Sequence, residues 1–288
     1  MAAHMITREE VIERSSKLPS LPSIVAEILA TLDDPDSNLK VLVDHIAHDP
    51  VIAARVLSRA NAASSRTRRL SAISDIYTAT TMIGMGSVRE MALISSVGGF
   101  SDSLFPACTA SAFWAHSVAV GVCSEELALH TAGPVSADAA LIAGLLHDIG
   151  QLWLFRFKED DFRTAWSQAL HHRIGIEKVE REQFGVDHST IGFWLAEHWL
   201  LPHGIGAAIR HHHAPKAAMS EALVPLVHVA EVLSNALDLT GRDENRVTTI
   251  SATACQKLGL VWDASARPLF GRMEARSRHA GAFFQQAV

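Results

Sequence analysis

The sequence is poor in the residues that small stapled folds and nucleic-acid binders rely on. It has three cysteines, Cys108, Cys123 and Cys255, widely spaced and odd in number, with no C-x-x-C pair. A disulfide framework and a zinc finger are therefore excluded, and free thiols in a reducing compartment are expected. There is one tyrosine, Tyr77, and no block of basic residues. Lys and Arg number 25 against 31 Asp and Glu, a formal charge of −6, so no dedicated nucleic-acid surface is expected. Long apolar runs are missing too. The stretch Ala139–Leu146 runs straight into His147-Asp148, far short of the roughly 17–25 residues that cross a bilayer. Glu9 and Glu10 stand where a signal peptide would carry positive charge. Met1–Met5 has the look of a cloning remnant. A cytoplasmic protein with no membrane association is the resulting expectation.

What the 288 residues do have is histidine, sixteen of them, and 48% hydrophobic residues. Length alone is compatible with about two domains and a full hydrophobic core. The apolar period is helical nearly throughout. Ile24, Ile28 and Leu32 recur at i+4, and Leu39, Leu42, Val43 and Ile46 form a second stripe. Asp49-Pro50 opens a helix carrying Ile52, Val56 and Leu57, with its end expected at Asn61 and a turn over Ser64–Arg69. A further helix, 75–83, should break at Gly84-Met85-Gly86, with Ser87 capping the next. Gly98-Gly99 through Pro106 reads as a linker. Beyond it, helices are expected over 113–129, 137–147, 163–171, 190–200, 205–212 and 224–237. No β-branched alternation is sustained, which favours an all-α multi-helix bundle.

The sharpest local signal is Gly144-Leu145-Leu146-His147-Asp148-Ile149-Gly150. An apolar helix delivers a histidine and an aspartate side by side and is expected to stop at the glycine. A buried aspartate needs a partner or a cation. The competing reading, a capping Asp148 and a hydrogen-bonded core His147, is about equally good for this motif alone. Further histidines on apolar helices shift the balance: His116, His188, His212 and His213, together with Glu231, which follows His228 by one helical turn. Imidazole and carboxylate donors without thiolate suit iron, manganese or zinc. Histidines from several helices converging on a bundle core are a known way of building such a site. Arg66, Arg68 and Arg69 are read as a solvated turn, and His45, His48, His171 and His172 as surface residues. His198 and His203 are possible supports for the site by proximity alone.

The segments Leu18–Pro22, Asp49-Pro50-Val51, Leu57–Ala62, Gly84–Val88, Phe113–Ser117, Gly144–Gly150 and Trp199–Pro202 through His212-His213-Ala214-Pro215 resemble an HDOD domain, in the right order, over roughly residues 18–237. The resemblance implies an all-helical signalling module related to HD and HD-GYP phosphohydrolases. It implies an N-terminal lobe over 6–99, an HD-like lobe over 107–240 and a C-terminal extension over 241–288. It also implies a metal set: His116 and His147 as first and second ligands, Asp148 as the bridging carboxylate, and His188, His212 and His213 as additional ligands. Glu231 stands in place of a final aspartate, with one methylene more of reach. Within His211-His212-His213 the register is open by one residue.

Two departures bear on catalysis. HD-GYP enzymes continue the motif with a lysine where this chain has Gln151, and Ala214-Pro215-Lys216 carries no Gly-Tyr-Pro loop. The expectation is a regulatory module acting through protein partners in signalling, retaining a dinuclear site for iron, manganese or zinc. The alternative is an active metal-dependent phosphohydrolase on a nucleotide or cyclic dinucleotide such as cyclic-di-GMP, with Asp148 as its central residue. A stripped scaffold with purely structural histidines is the third possibility.

Overall fold

In the computed structural model, residues 5–18, 25, 43, 46, 50–66, 73–102, 107–131, 133, 135–240 and 249–285 are described. All regular elements among them are helices, as the period of the apolar residues predicts. The expected stripes at 24–32 and 39–46 lie largely outside the described residues, as do His45, His48, Arg68 and Arg69.

The N-terminal part contains α1 (Arg8–Ser15), α2 (Pro50–Arg66), α3 (Ile76–Ile83) and α4 (Met85–Asp102). Thr7 caps α1 by accepting from the Glu10 N–H. The Ile6 N–H bonds the Phe184 carbonyl, tying the start of the chain to a distant helix end. Helix α2 does not stop at Asn61. The amide of Asn61 stays inside the helix and reaches across to residue 73, donating to the Leu57 and Ile73 carbonyls at 2.9 and 2.8 Å and accepting from the Ile73 N–H at 2.7 Å. Gly84, at φ +86°, makes the break before α4, which begins at Met85, so Ser87 is an interior residue and not a cap. Helix α4 also runs through Gly98-Gly99, where a linker was expected. Glycine lowers helix propensity by only about 1 kcal/mol, and the packing of α4 on its neighbours offsets that.

The remainder comprises α5 (Ala107–Thr131), α6 (Ala137–Leu146), α7 (Ile149–Phe157), α8 (Glu159–His172), α9 (Ile176–Phe184), α10 (His188–His198), α11 (His203–His211), α12 (Leu223–Ala236), α13 (Ala252–Lys257) and α14 (Arg267–Gln285). Helices α7 and α9 escaped the period analysis. Helix α7 contains Gly150, which reads as a stop in the sequence; α9 is short and mostly charged. Helix α5 is central, packing on α6, α12 and α14. Its crossing with α6 is close: a Cβ at Gly144 would meet Gly121 Cα at 2.7 Å and Ser124 Oγ at 2.8 Å. Arg89 on α4 pairs with Asp138 on α6 at 2.8 Å, joining the N-terminal helices to this bundle. Helix α14 is fastened by Arg276, which contacts Glu90, Glu125 and Glu126 at 2.7, 2.5 and 2.8 Å. No helix among the described residues is long and apolar enough to cross a membrane.

Candidate metal centre

The HD pair does not sit within one helix. Helix α6 ends at Leu146, His147 and Asp148 form the turn, and α7 starts at Ile149. Gly150 therefore lies in the next helix instead of terminating the first. The turn aims both side chains into the space between α5, α10, α11 and α12. His116 comes from the middle of α5. His188 is the first residue of α10, whose cap is Asp187, accepting from the Thr190 N–H at 2.8 Å. His212 and His213 follow directly on the end of α11, and Glu231 comes from α12.

The seven side chains singled out from the sequence all converge. One donor atom from each of Asp148, His188, His212 and His213 lies within 4.8 Å of the others, and the same holds for His116, His147 and Glu231. Asp148 stands between the two groups. Its Oδ2 is 3.3 Å from His147 Nε2 and 3.7 Å from His116 Nε2. Its Oδ1 is 3.2 Å from His188 Nε2 and 3.6 Å from His212 Nε2. The register of the histidine triplet is thereby resolved: His212 and His213 face the cluster, and His211 belongs to neither group.

The ring orientations follow from the hydrogen bonds on the far side. His147 Nδ1 is 2.7 Å from the Gly144 carbonyl and His212 Nδ1 is 2.8 Å from the Ile209 carbonyl. A carbonyl only accepts, so each Nδ1 carries a proton and each Nε2 is the nitrogen turned inward. Such back-bonding of the outer nitrogen is how metal-binding imidazoles are oriented. His188 Nδ1 is held at 2.6 Å by Glu180 Oε2, which also accepts the His188 backbone N–H at 2.8 Å. His188 Nε2 and His213 Nε2 are 2.9 Å apart. Two nitrogens bound to one ion at about 2.1 Å are separated by roughly 3.0 to 3.4 Å, from right-angle to tetrahedral coordination.

The centre is deeply buried, with His147, His188 and His212 fully buried and Asp148 nearly so. His147 Nε2, His212 Nε2 and Asp148 Oδ1 are all buried without a hydrogen-bond partner. Buried polar atoms left unpaired are costly. Two imidazole nitrogens and a carboxylate oxygen converging in this way are the donor types that hold a cation. Charge effects agree. Burial disfavours the Asp148 carboxylate, but His147 and His188 outweigh it and hold Asp148 well below the usual carboxylate range. Burial, joined by the neighbouring imidazoles, drives His212 and His213 well below the ordinary histidine value, so both are neutral donors. Burial pushes Glu231 up to about 7 against the pull of His147. The donor set is imidazole and carboxylate without thiolate, and it fits a divalent ion.

A profile of the HDOD domain matches residues 18–215. The chain belongs to the HDOD family. An HDOD domain protein of unknown function from Geobacter sulfurreducens has a similar structure, with a TM-score of 0.71 and 24% identity over 97% of this chain and 94% of that one. A candidate phosphohydrolase from Shewanella amazonensis SB2B gives 0.69 and 25%, covering 95% and 97% of the two chains. Among curated proteins, an uncharacterized protein of Treponema pallidum (strain Nichols) is 26% identical over 204 residues. That alignment takes in 70% of this chain but only 39% of that protein, so this HDOD chain spans well under half of its relative's length.

Two contributors to the HDOD site escaped the sequence. Glu180 looks like one of several charges on a short amphipathic helix, and only its burial sets it apart. His228 Nδ1 donates to the His212 carbonyl at 2.7 Å, while its Nε2 accepts from the Ser251 N–H at 3.1 Å. It thus ties the turn carrying His212 and His213 to the residue that caps α13. His198 and His203, by contrast, are exposed, and His203 faces Glu221 at 3.6 Å, away from the cluster.

Proposed function

We propose that this HDOD protein is a regulatory module acting through protein partners in signalling, and that it retains a dinuclear metal centre held by His116, His147, Asp148, His188, His212, His213 and Glu231. The observation that carries the metal part is the trio of buried, unpartnered atoms His147 Nε2, His212 Nε2 and Asp148 Oδ1. The two Asp148 oxygens face different histidine pairs, which supports a carboxylate shared between two ions. Iron, manganese or zinc would suit these donors. Bound there, such ions would neutralise the buried carboxylates and hold the ends of α6, α10 and α11 together.

The regulatory part rests on residue 151. A phosphodiesterase needs groups that stabilise charge developing on phosphorus. Position 151 offers a nearly buried glutamine in place of a cation. The reading that competes with this one is a metal-dependent phosphohydrolase on a nucleotide or cyclic dinucleotide. It is favoured by the completeness of the ligand set and by the likeness to the Shewanella protein. In that case the ions would supply Lewis acidity, with Asp148 positioning them and His213 and Glu231 at the less buried side.

The deciding experiment uses tag-free protein, stripped with chelator and reloaded with iron, manganese or zinc. Metal content is measured alongside hydrolysis of cyclic-di-GMP and of a chromogenic phosphodiester. About two ions per chain without turnover supports the regulatory reading. Turnover that disappears in Asp148→Ala establishes the hydrolase instead, and no retained metal after reloading removes both.

A further inference from the structure

Glu180 has no role in the ligand set, yet it is completely buried and spends one oxygen on a single residue. Its Oε2 accepts both from the His188 backbone N–H and from His188 Nδ1. Its Oε1 is buried without a hydrogen-bond partner. A carboxylate in such surroundings is expensive unless an opposite charge offsets it. The ion partner it has is His188.

Helix capping does not account for it. Helix α10 is already capped by Asp187, whose Oδ1 takes the Thr190 N–H and the Ser189 and Thr190 hydroxyls. A neutral glutamine would serve the His188 N–H as well, without the burial of charge. What only a carboxylate supplies is negative charge on the far side of the imidazole, opposite Asp148.

We propose that Glu180 is a positioning residue of the centre, locking the His188 ring and strengthening its Nε2 as a donor to the ion shared with Asp148, His212 and His213. The proposal rests on the metal reading above. Outer partners of this kind are worth about 10–100-fold in metal affinity. The same contact sets α9 against the start of α10, so the helix that the sequence pattern left unread supports the second half of the cage.

The test compares wild type, Glu180→Gln and Val179→Ala. The glutamine keeps an oxygen where Oε2 accepts and removes only the charge; Val179 is a buried apolar neighbour on the same helix with no donor atom to offer the cluster. Each protein is stripped and titrated with Zn²⁺ against a chromophoric chelator, and its Co²⁺ absorption spectrum is recorded. Glu180→Gln is expected to weaken one of two sites by about 10–100-fold and to shift the Co²⁺ bands. Val179→Ala should lower stability and leave both readouts unchanged. Glu180→Gln binding both ions with wild-type affinity and spectrum overturns the role of Glu180 while the metal reading stands. Wild type that binds no Zn²⁺ overturns that reading and this one together.

Discussion

Gly150 lies directly beneath His188: a Cβ built on Gly150 would come within 1.9 Å of the His188 carbonyl oxygen and 2.8 Å of the Gly192 nitrogen. The glycine of the HD motif is thus the floor on which the first turn of α10 rests, and the approach brings His188 to Asp148. Gly150→Ala must push α10 away or distort α7. Overpacking in a tight core typically costs about 1–3 kcal/mol, and this backbone contact belongs at the upper end. Denaturant unfolding should show that loss, and metal titration should show weakened binding at the His188 side. Unchanged stability and binding would contradict the contact.

Metal binding should appear as thermal stabilisation. A ligand that binds only the folded state at a hundredfold excess over its Kd contributes about 2.7 kcal/mol. For a chain of this size that amounts to several degrees in Tm. Adding Zn²⁺ or Mn²⁺ to stripped protein should raise Tm, and Asp148→Ala should abolish the rise, because both ions lose their shared carboxylate. An equal rise in the variant would place the bound metal elsewhere.

A second group of buried charges lies where α14 packs on α5. Burial pushes Glu125 up to about 8, outweighing the pull of Arg276, which the neighbouring Glu90 opposes. A carboxyl group with a raised folded pKa favours the folded state at low pH. Its contribution is complete below the unfolded value near 4.5 and is lost as pH rises through about 8. Stability should therefore fall by on the order of a few kcal/mol across that window, and Glu125→Gln should flatten the profile. Urea midpoints between pH 4.5 and 9 measure it; an unchanged slope in the variant would assign the pH dependence to other groups.

Asn61 is predicted to matter more than a mid-helix polar residue would. Asn61→Ala leaves the Ile73 N–H and C=O without their side-chain partner. Unpaired half-buried backbone groups cost about 1–3 kcal/mol. A loss of that size, with the metal centre intact by titration, is the expected result; a neutral substitution would mean that water replaces the amide.

Much of the helical framework could be read from one strand of information at a time. The stripes of α2, α5, α11 and α12 are visible because each such helix has apolar residues at a helical spacing. Helix α7 is not, since Gly150 reads as a helix stop and instead lies in its first turn. The Gly98-Gly99 pair misleads for a related reason: glycine reports a local preference, while the packing that keeps α4 helical is remote in sequence.

The same division runs through the site. Residue identity alone determined the helical class, the HDOD membership and the chemistry of the donors, because motif spacing and side-chain type are properties of short segments. Tertiary structure decided that Asp148 presents one oxygen to each histidine group, that His212 and His213 face the cluster in preference to His211, and that Glu180 and His228 bond to His188 and His212 from behind. These are relations between helices distant in the chain. No period within one helix encodes them; they exist only once Gly144 and Gly150 allow the backbones to close on the buried carboxylate.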